Sequence, residues 1–335
     1  YMREKQPTGK NAADYVDWKF NEEYGLDEVT IYDMIVSHCD ADHYGGLWDL
    51  VNDSEEAKEE LSCDSVKVKN LYHAGVAWLR MKKGANRSLG EIKDGKLQNI
   101  ITGKTSMERH LRKDKYPRLQ GEYGDFLDTF LQTQPDARIR FIGHKVKASR
   151  PKYLPGYEPA NSNVTLEVLA PLYYKTGNKI EINDFGSKSK NSNGNSILLS
   201  LRFGNFKMLL TGDLNNKSQE ALIKEHHPSK FACDVAKACH HGSHLVSFKF
   251  LQYVNAAATV ISSGDNEGHA HPRANLLSMS ALSGYREDGK DTLISPLIFS
   301  TEIARSVKVG EPKSARATVN NEVKEVDDLS DIEIT

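Results

Sequence analysis

The sequence predicts an α/β protein in which strands and helices alternate along most of its 335 residues. Short runs of β-branched and apolar residues recur between segments with helical spacing, and several of these runs end in clusters of histidine and aspartate. The hydrophobic content of 39% and the charged content of 27% are typical of a globular protein with a sizeable core. Because loops at one edge of layered sheets converge, we expect the polar clusters to form one site.

The first predicted strand, "VTIYDMIVS" at residues 29–37, runs directly into a loop rich in potential metal ligands. A helix beginning at "HYGGLWDLVND" follows this loop. One histidine beside one aspartate is usually a solvated turn, but four ligand-type side chains within six positions indicate a metal site. These four side chains are His38, Asp40, Asp42 and His43.

Residues 53–160 are the least regular part of the sequence, with one predicted helix at "GDFLDTFLQTQ" and a strand at "ARIRFIGHKVK". Between Arg80 and Arg118, twelve Lys and Arg residues stand against four Asp and Glu residues, a net charge of +8. Such a segment could follow a phosphate backbone, so nucleic acid is one expected partner. The alternatives are a solvated surface and a docking surface for another protein.

The second half of the chain contains further strands that end in polar residues. The segment "SILLSLRFGNFKMLLTGDL" is predicted to be a hairpin that turns at Gly204-Asn205 and carries Asp213 to the end of its second strand. The strand in "CDVAKACHHGSH" runs into His240-His241, and the one in "ATVISSGDNEGHAHP" ends in further histidines. Helices are expected at "NNKSQEALIKEHH" and "PRANLLSMSAL".

These segments resemble four motifs of the metallo-β-lactamase superfamily, in the family's order. "SHCDADHYGGL" is similar to the family motif HxHxDH, and "LLTGDL" is similar to the segment with the family's bridging aspartate. "KACHHGS" and "GHAHP" resemble the branch typified by the metallohydrolase domain of the DNA-uptake competence protein ComEC. The resemblance covers residues 29–52 and about 163–300. It implies a four-layer αββα sandwich whose N-terminal strands would precede the chain as given.

The resemblance also implies a ligand set for one or two divalent metal ions. One metal site would use Asp42, His43 and His240 with Asp213 as a bridge, and the other would use His38 and Asp40. Most members of the family have histidine where this chain has Asp40, and a further histidine is expected near Ala170, for which His144 is the fallback. The oxygen-rich ligand set is compatible with zinc, manganese, magnesium or iron.

The expected chemistry is attack by a metal-activated hydroxide. Either Asp42 or Asp40 would accept the proton of the water, and either His269 or His241 would stabilise the leaving oxygen. His269 is alternatively a metal ligand, and His241 alternatively orients a neighbouring ligand. The remaining histidines are expected to be structural or, at the helix end His226-His227, exposed.

Three functions remain open for such a site. The first is a phosphodiesterase or nuclease, because the closest motif pattern is that of the competence-protein branch and the insertion is basic. The second is a hydrolase of a small ester, lactone or phospho-metabolite. The third is a degenerate metallohydrolase that serves as a structural or regulatory subunit, for which the Asp40 and Ala170 departures argue. No G-x-S-x-G sequence occurs, which argues against a serine hydrolase.

The predicted organisation is one hydrolase domain at residues 1–305, with residues 53–160 as its insertion, followed by a β extension with an acidic tail at 306–335. No apolar run approaches the roughly 18 residues that cross a membrane, and the start has no apolar signal segment. The four cysteines form no CxxC pair. We therefore expect a cytoplasmic protein with reduced thiols and no membrane contact. The resemblance to the competence-protein branch implies a bacterial one.

Overall fold

A computed structural model describes residues 11–84, 87–264, 271–285, 287–289, 292–294, 296–301, 315–319 and 322–326. Within these residues the protein is a mixed α/β fold, as the sequence predicts. The helices are α1 (Ala12–Trp18), α2 (Ala41–Val51), α3 (Glu55–Glu59), α4 (Lys104–Leu111), α5 (Gly121–Thr133), α6 (Lys188–Gly194), α7 (Asn216–Glu225), α8 (Phe248–Val254) and α9 (Ala274–Ser283).

The strands are distributed over several sheets. Those up to residue 183 are β1 (Glu28–Val36), β2 (Ser65–His73), β3 (Leu79–Arg80), β4 (Ile92–Lys93), β5 (Lys96–Leu97), β6 (Arg118–Leu119), β7 (Arg138–Phe141), β8 (His144–Lys145), β9 (Val164–Ala170), β10 (Leu172–Thr176) and β11 (Lys179–Asn183). The later ones are β12 (Leu198–Phe203), β13 (Phe206–Leu210), β14 (Val235–Lys237), β15 (Ala258–Ile261), β16 (Glu287–Gly289), β17 (Thr292–Ile294), β18 (Leu297–Ser300), β19 (Ala315–Val319) and β20 (Glu322–Val326).

The first sheet is parallel and has the order β1-β2-β7. In β1 the side chains of Val29, Met34 and Val36 are buried while Tyr32 is exposed, so the predicted strand is confirmed and is only partly buried. The nine-residue strand β2 lies inside the segment that we expected to be irregular. Its sequence "SVKVKNLYH" alternates valine with lysine, so a period of two is present but is masked by the basic residues.

The second sheet has the order β18-β15-β14-β13-β12-β9. Strands β13, β14, β15 and β18 are parallel, whereas β12 pairs antiparallel with both β13 and β9. The predicted hairpin is confirmed, with Leu201 opposite Met208. Gly204 has a φ of +57° in its turn, a conformation that glycine adopts without strain.

Three apolar clusters show how the layers pack. The first joins α1, α2, α4 and α5 to β1 and β2 and includes Tyr44 and Phe126. The second lies between the first two sheets, where Tyr72 of β2 packs with side chains of β9 and β12. The third packs the other face of the second sheet against α7 and α8, around Phe231 and Phe250. Alternate residues of β9 and β12 contribute to the second and third clusters, as the two faces of a strand require.

The insertion is more ordered than its sequence suggests. Besides β2 it contains α4 and α5, and its short strands β4, β5 and β8 join β10 and β11 in a sheet with the order β4-β5-β11-β10-β8. The strands β3 and β6 form a separate pair. This segment therefore packs on the body of the protein instead of forming a detached loop, and its α5 contacts α2.

At the C-terminal end, β19 and β20 pair antiparallel, with Thr318 opposite Val323. The acidic residues that follow β20 lie outside the described residues. Among the helices that the structure describes, none combines the length and the apolar character needed to cross a bilayer.

Candidate metal centre

Three loops that follow strands of the first and second sheets meet at one edge of the protein. The first begins after β1, the second after β13 and the third after β14. Strands β13 and β14 are parallel neighbours, so their carboxyl ends lie side by side. The amide of Ile197 donates to the carbonyl of Ser37 over 3.0 Å and joins the end of β1 to the second sheet. The convergence expected from the sequence is therefore present in the described residues.

Four side chains from these loops form a compact group. Nε2 of His241 lies 2.9 Å from Oδ2 of Asp42 and 3.3 Å from Oδ2 of Asp213. Nε2 of His43 lies 3.2 Å from Oδ1 of Asp213 and 3.1 Å from Nε2 of His241. One nitrogen or oxygen atom from each of Asp42, His43, Asp213 and His241 lies within 4.8 Å of all the others, close enough for one metal ion.

A second set of side chains surrounds the same aspartate. Nε2 of His38 and Nε2 of His240 each lie 4.0 Å from Oδ2 of Asp213. Oδ2 of Asp40 lies 3.6 Å from Nε2 of His38. His38 is 1% exposed and Asp213 is 3% exposed, so Asp213 is buried between the two sets.

In three of the imidazole rings Nε2 lies near Asp213, and a hydrogen bond at Nδ1 orients the ring. Nδ1 of His241 lies 2.7 Å from the carbonyl oxygen of Ser262, which can only accept, so Nδ1 carries the proton and Nε2 can bind a metal. Oγ of Ser37 lies 3.1 Å from Nδ1 of His38 and 3.0 Å from Nδ1 of His43. A hydroxyl oxygen has two lone pairs and can accept from both rings, which leaves both Nε2 atoms available.

Charge pairing dominates the electrostatics of the compact group. Burial by itself would raise the pKa of Asp42, but hydrogen bonds from His241 and His43 outweigh burial and lower the pKa below its usual range. Asp213 behaves in the same way. Burial lowers the pKa of His43 and of His241, but hydrogen bonds to Asp213 and Asp42 raise these pKa values to about 9 and about 10. The two carboxylates therefore stabilise a positive charge within the compact group, on the imidazole rings or on a cation.

The residues of this centre fit a divalent cation. Imidazole and carboxylate are the usual ligands of zinc and manganese. Nε2 of His38 is buried without a hydrogen-bond partner in the described part of the chain, 3.6 Å from Oδ2 of Asp40 and 4.0 Å from Oδ2 of Asp213. Buried polar atoms are normally satisfied, so this nitrogen between two carboxylates suits a cation.

The backbone at the third loop needs an unusual conformation. His240 and His241 have φ values of +48° and +49°, and Gly242 has a φ of +87°. Few residues other than glycine adopt such values, and strained backbone of this kind concentrates at functional sites. In the second loop, Gly212 has a φ of +55°, and a Cβ on it would lie 2.7 Å from Cβ of Ser196, so only glycine fits.

The structure differs from the sequence-based ligand set at the third loop. We expected His240 beside Asp42 and His43, but His241 takes that place and His240 belongs to the second set. Consecutive positive φ values rotate the two side chains in a way that sequence spacing does not reveal. His269, expected as a ligand or a contact to the leaving group, lies outside the described residues.

Asp40 and Ala170, the two positions that depart from the family pattern, differ in their relation to the centre. Oδ1 of Asp40 accepts a hydrogen bond of 2.6 Å from Ser192, and the carboxylate stays next to His38. Ala170 is buried in the apolar cluster below α7 and α8 and supplies no ligand. His144 does not replace it, because its ring packs against His226 and its Nε2 lies 3.7 Å from Glu225.

Several site residues were missed in the sequence. Ser37 orients two histidines, Ser192 holds Asp40, and Nδ2 of Asn193 lies 3.4 Å from Nε2 of His240. Nζ of Lys237 lies 3.7 Å from Oδ1 of Asp213. The run "NSNGNS" at 191–196, directly before a strand, was the available signal. Its burial depends on tertiary packing and is not visible in composition.

A scan against models of known protein families and a search of curated proteins both return no match for this chain.

Proposed function

We propose that this protein is a metal-dependent hydrolase of phosphodiesters with the fold and ligand arrangement of the metallo-β-lactamase superfamily. The observation that carries the proposal is the compact group of Asp42, His43, Asp213 and His241, brought together from three loops. His43 and Asp213 are 170 positions apart in the sequence, and Asp213 and His241 are 28 positions apart. Ligand-type residues from such distant loops rarely meet by chance at the carboxyl ends of strands, where sites of α/β proteins usually lie.

The packing of the layers supports the proposed family. The apolar clusters follow one another as helices on the first sheet, the first sheet on the second, and the second sheet on helices. This is the succession that a four-layer αββα sandwich requires. Two further features are compatible with the same fold. The motifs follow the family's order along the chain, and the centre lies at one edge of the first and second sheets.

In this proposal each residue of the centre has a defined task. The compact group would hold one divalent cation, and His38, Asp40 and His240 would hold a second one that shares Asp213. A bound divalent cation supplies Lewis acidity and a water whose pKa falls to about 7. The chain itself orients the ligands through Ser37 and Ser262 and keeps Asp213 away from solvent.

Asp40 is the best-placed residue to accept a proton. Ser192 binds its Oδ1, so the carboxylate is held in one orientation, while Oδ2 lies on the side of His38. Its side chain is 34% exposed, compared with 4% for Asp213, and can therefore reach a substrate in the cleft. Asp42, the alternative, is engaged by His241 at 2.9 Å.

Cations close to the centre favour an anionic substrate over a neutral ester. Nζ of Lys237 lies at the edge of the compact group, with hydrogen bonds to the carbonyls of Gly212 and Ala238. Arg87 lines a cavity that also contains Asp40. Positive groups stabilise the charge of a phosphodiester and the additional charge that develops on its oxygens during hydrolysis.

The test uses metal-free protein, prepared with a chelator and supplied in turn with Zn²⁺, Mn²⁺ or Mg²⁺. We expect hydrolysis of bis-p-nitrophenyl phosphate with at least one ion, and much less hydrolysis of p-nitrophenyl acetate. The variant Asp213→Asn should lose the activity, whereas His144→Gln, in a histidine outside the centre, should keep it. Faster turnover of the acetate would favour a small-ester hydrolase. Absence of both activities together with absence of metal binding would favour a degenerate subunit.

A further inference from the structure

The cavity that Arg87 and Asp40 line has a volume of about 660 Å³ and adjoins the metal centre. Its volume lies within the roughly 300–1,000 Å³ of small-molecule sites. Asp40 and Ala41 form the wall next to the centre, and the buried rings of Tyr44 and Tyr123, 5.0 Å apart, line the cavity. A substrate held at the centre can therefore extend into this space.

Arg87 is the only cationic residue that lines this cavity within the described part of the chain. Its Cζ lies 3.9 Å from the centroid of the Trp78 ring. Stacking uses the face of the guanidinium, so the N–H groups at its edge remain able to donate to an oxyanion. Among the described residues no carboxylate forms an ion pair with Arg87. The guanidinium is thus held in place but keeps its hydrogen-bonding capacity.

The opposite side of the cavity is the first turn of α5. Gln120 precedes this helix and provides no side-chain cap, and residues 120–123 line the cavity. The amides of a first turn, together with the positive end of the helix dipole, favour a negative charge nearby. This contribution adds to that of Arg87, while the exposed carboxylate of Glu122 in the same turn opposes it.

From this geometry we propose that the cavity is a subsite for a second anionic group of the substrate, bound by Arg87 on the Asp40 side of the metal centre. The inference rests on the proposed function and narrows its substrate class. The favoured substrates are phosphodiesters that carry a further phosphate or a carboxylate close to the bond that is hydrolysed. Trp78 is a positioning residue in this proposal, because it acts on the substrate through Arg87.

A smaller cavity of about 270 Å³ lies on the other side of Gln120 and does not extend the subsite. Three basic and two acidic residues line it, so its charges nearly cancel. These residues are Arg80, Lys113, Arg118, Asp125 and Asp128. Of the two cavities that share Gln120, only the one lined by Arg87 is also lined by a residue of the metal centre.

The experiment measures binding to metal-free protein by calorimetry in the presence of a chelator. The probes are a thymidine dinucleotide and the same dinucleotide with an added phosphate at its 5′ or 3′ end. We expect one of the phosphorylated forms to bind about ten- to a hundredfold more tightly, the range for hydrogen bonds to charged groups. Arg87→Ala should abolish this difference, and Arg87→Lys should keep part of it.

Arg112→Ala is the matched control, because Arg112 belongs to the same basic segment, pairs with Asp114 and does not line the cavity. It should leave the difference between the probes unchanged. Equal binding of all probes by the wild-type protein, or a difference that survives in Arg87→Ala, would overturn the subsite. Hydrolysis of bis-p-nitrophenyl phosphate is measured separately, so the subsite can fail while the hydrolase proposal stands.

Two sources of the anion are distinguished with a second pair of probes. These are a phenyl phosphodiester with a carboxylate on its second ester group and the corresponding methyl ester. A preference for the carboxylate that depends on Arg87 would support a subsite that binds small anionic metabolites as well. A preference shown only by the phosphorylated dinucleotides would support a subsite for the adjacent phosphate of a nucleotide chain.

Discussion

The two histidines of the compact group and the structural histidines of this protein have opposite electrostatic behaviour. In the metal centre, His43 and His241 face two carboxylates, and their pKa values are raised to about 9 and about 10. The structural histidines His73, His144 and His226 are buried, the last of them against the expectation that it would be exposed, and burial lowers their pKa values. Loss of solvent lowers the pKa in both groups, so the number of carboxylates within hydrogen-bond distance decides the sign of the shift.

The candidate metal site and the structural cluster contain the same residue type but differ in the partners of their ring nitrogens. His144 and His226 pack edge to face with their ring centroids 4.3 Å apart, but one carboxylate lies near them, and Nε2 of His226 donates a hydrogen bond to the carbonyl of Leu169. In the candidate metal centre the Nε2 atoms converge on Asp213, and other groups hold Nδ1 of His38, His43 and His241. Convergent ring nitrogens beside carboxylates, rather than a high density of histidines, distinguish this candidate metal site.

The largest expected effect follows from removing the carboxylate that both sets share. Asp213→Asn keeps the size of the side chain but loses its charge, so we expect affinity for Zn²⁺ or Mn²⁺ to fall more than roughly hundredfold, beyond what the loss of an outer hydrogen bond costs. Metal titration by calorimetry measures the affinity. His144→Gln should bind metal like the wild type, and a comparable loss in that variant would remove the distinction between the two groups.

The next effect concerns stability at low pH. His73 is 2% exposed, and burial lowers its pKa to about 4, so folding favours its neutral form. Its contribution to stability is complete above the unfolded pKa of about 6.5 and is lost as the pH falls through 4. Between pH 7 and pH 4.5 this loss amounts to roughly 2.5 kcal/mol.

The variant His73→Asn tests this contribution. Nδ1 of His73 accepts a hydrogen bond of 3.1 Å from the amide of Gly75, and an asparagine oxygen can replace this acceptor without titrating. Urea unfolding at both pH values should show a smaller acid-induced loss of stability than in the wild type. His227→Asn, in an exposed histidine, should lose as much stability as the wild type. An unchanged pH dependence in His73→Asn would show that other groups cause the acid sensitivity.

The smallest effect is expected from the hydroxyl that orients two rings of the centre. Ser37→Ala removes the contact of Oγ with Nδ1 of His38 and Nδ1 of His43 but leaves every ligand in place. Loss of such outer hydrogen bonds typically lowers metal affinity 10–100-fold, and we expect about tenfold because water can replace one hydroxyl. Ser278→Ala, in an exposed serine of α9, should bind metal normally. Equal affinities of the two variants would contradict an orienting role for Ser37.

The sequence by itself predicted those elements and ligand types that depend on residues close together in the chain. Strand β1, the hairpin at Gly204-Asn205 and helix α7 follow from residue periodicity, turn chemistry and an asparagine cap. The same local chemistry placed histidines and aspartates directly after strands. Strand β2 was missed although its alternation was present, because lysines on one face concealed the period.

Only the tertiary structure decided which of these groups lie together. His241 instead of His240 enters the compact group because two consecutive positive φ values turn the chain there, and neighbouring packing holds that conformation. Asn193 and Ser192 become part of the centre because α6 is buried beside it, and Arg87, packed on Trp78, lines the same cavity as Asp40. Contacts across many residues depend on how the layers pack, and residue order alone does not specify that packing.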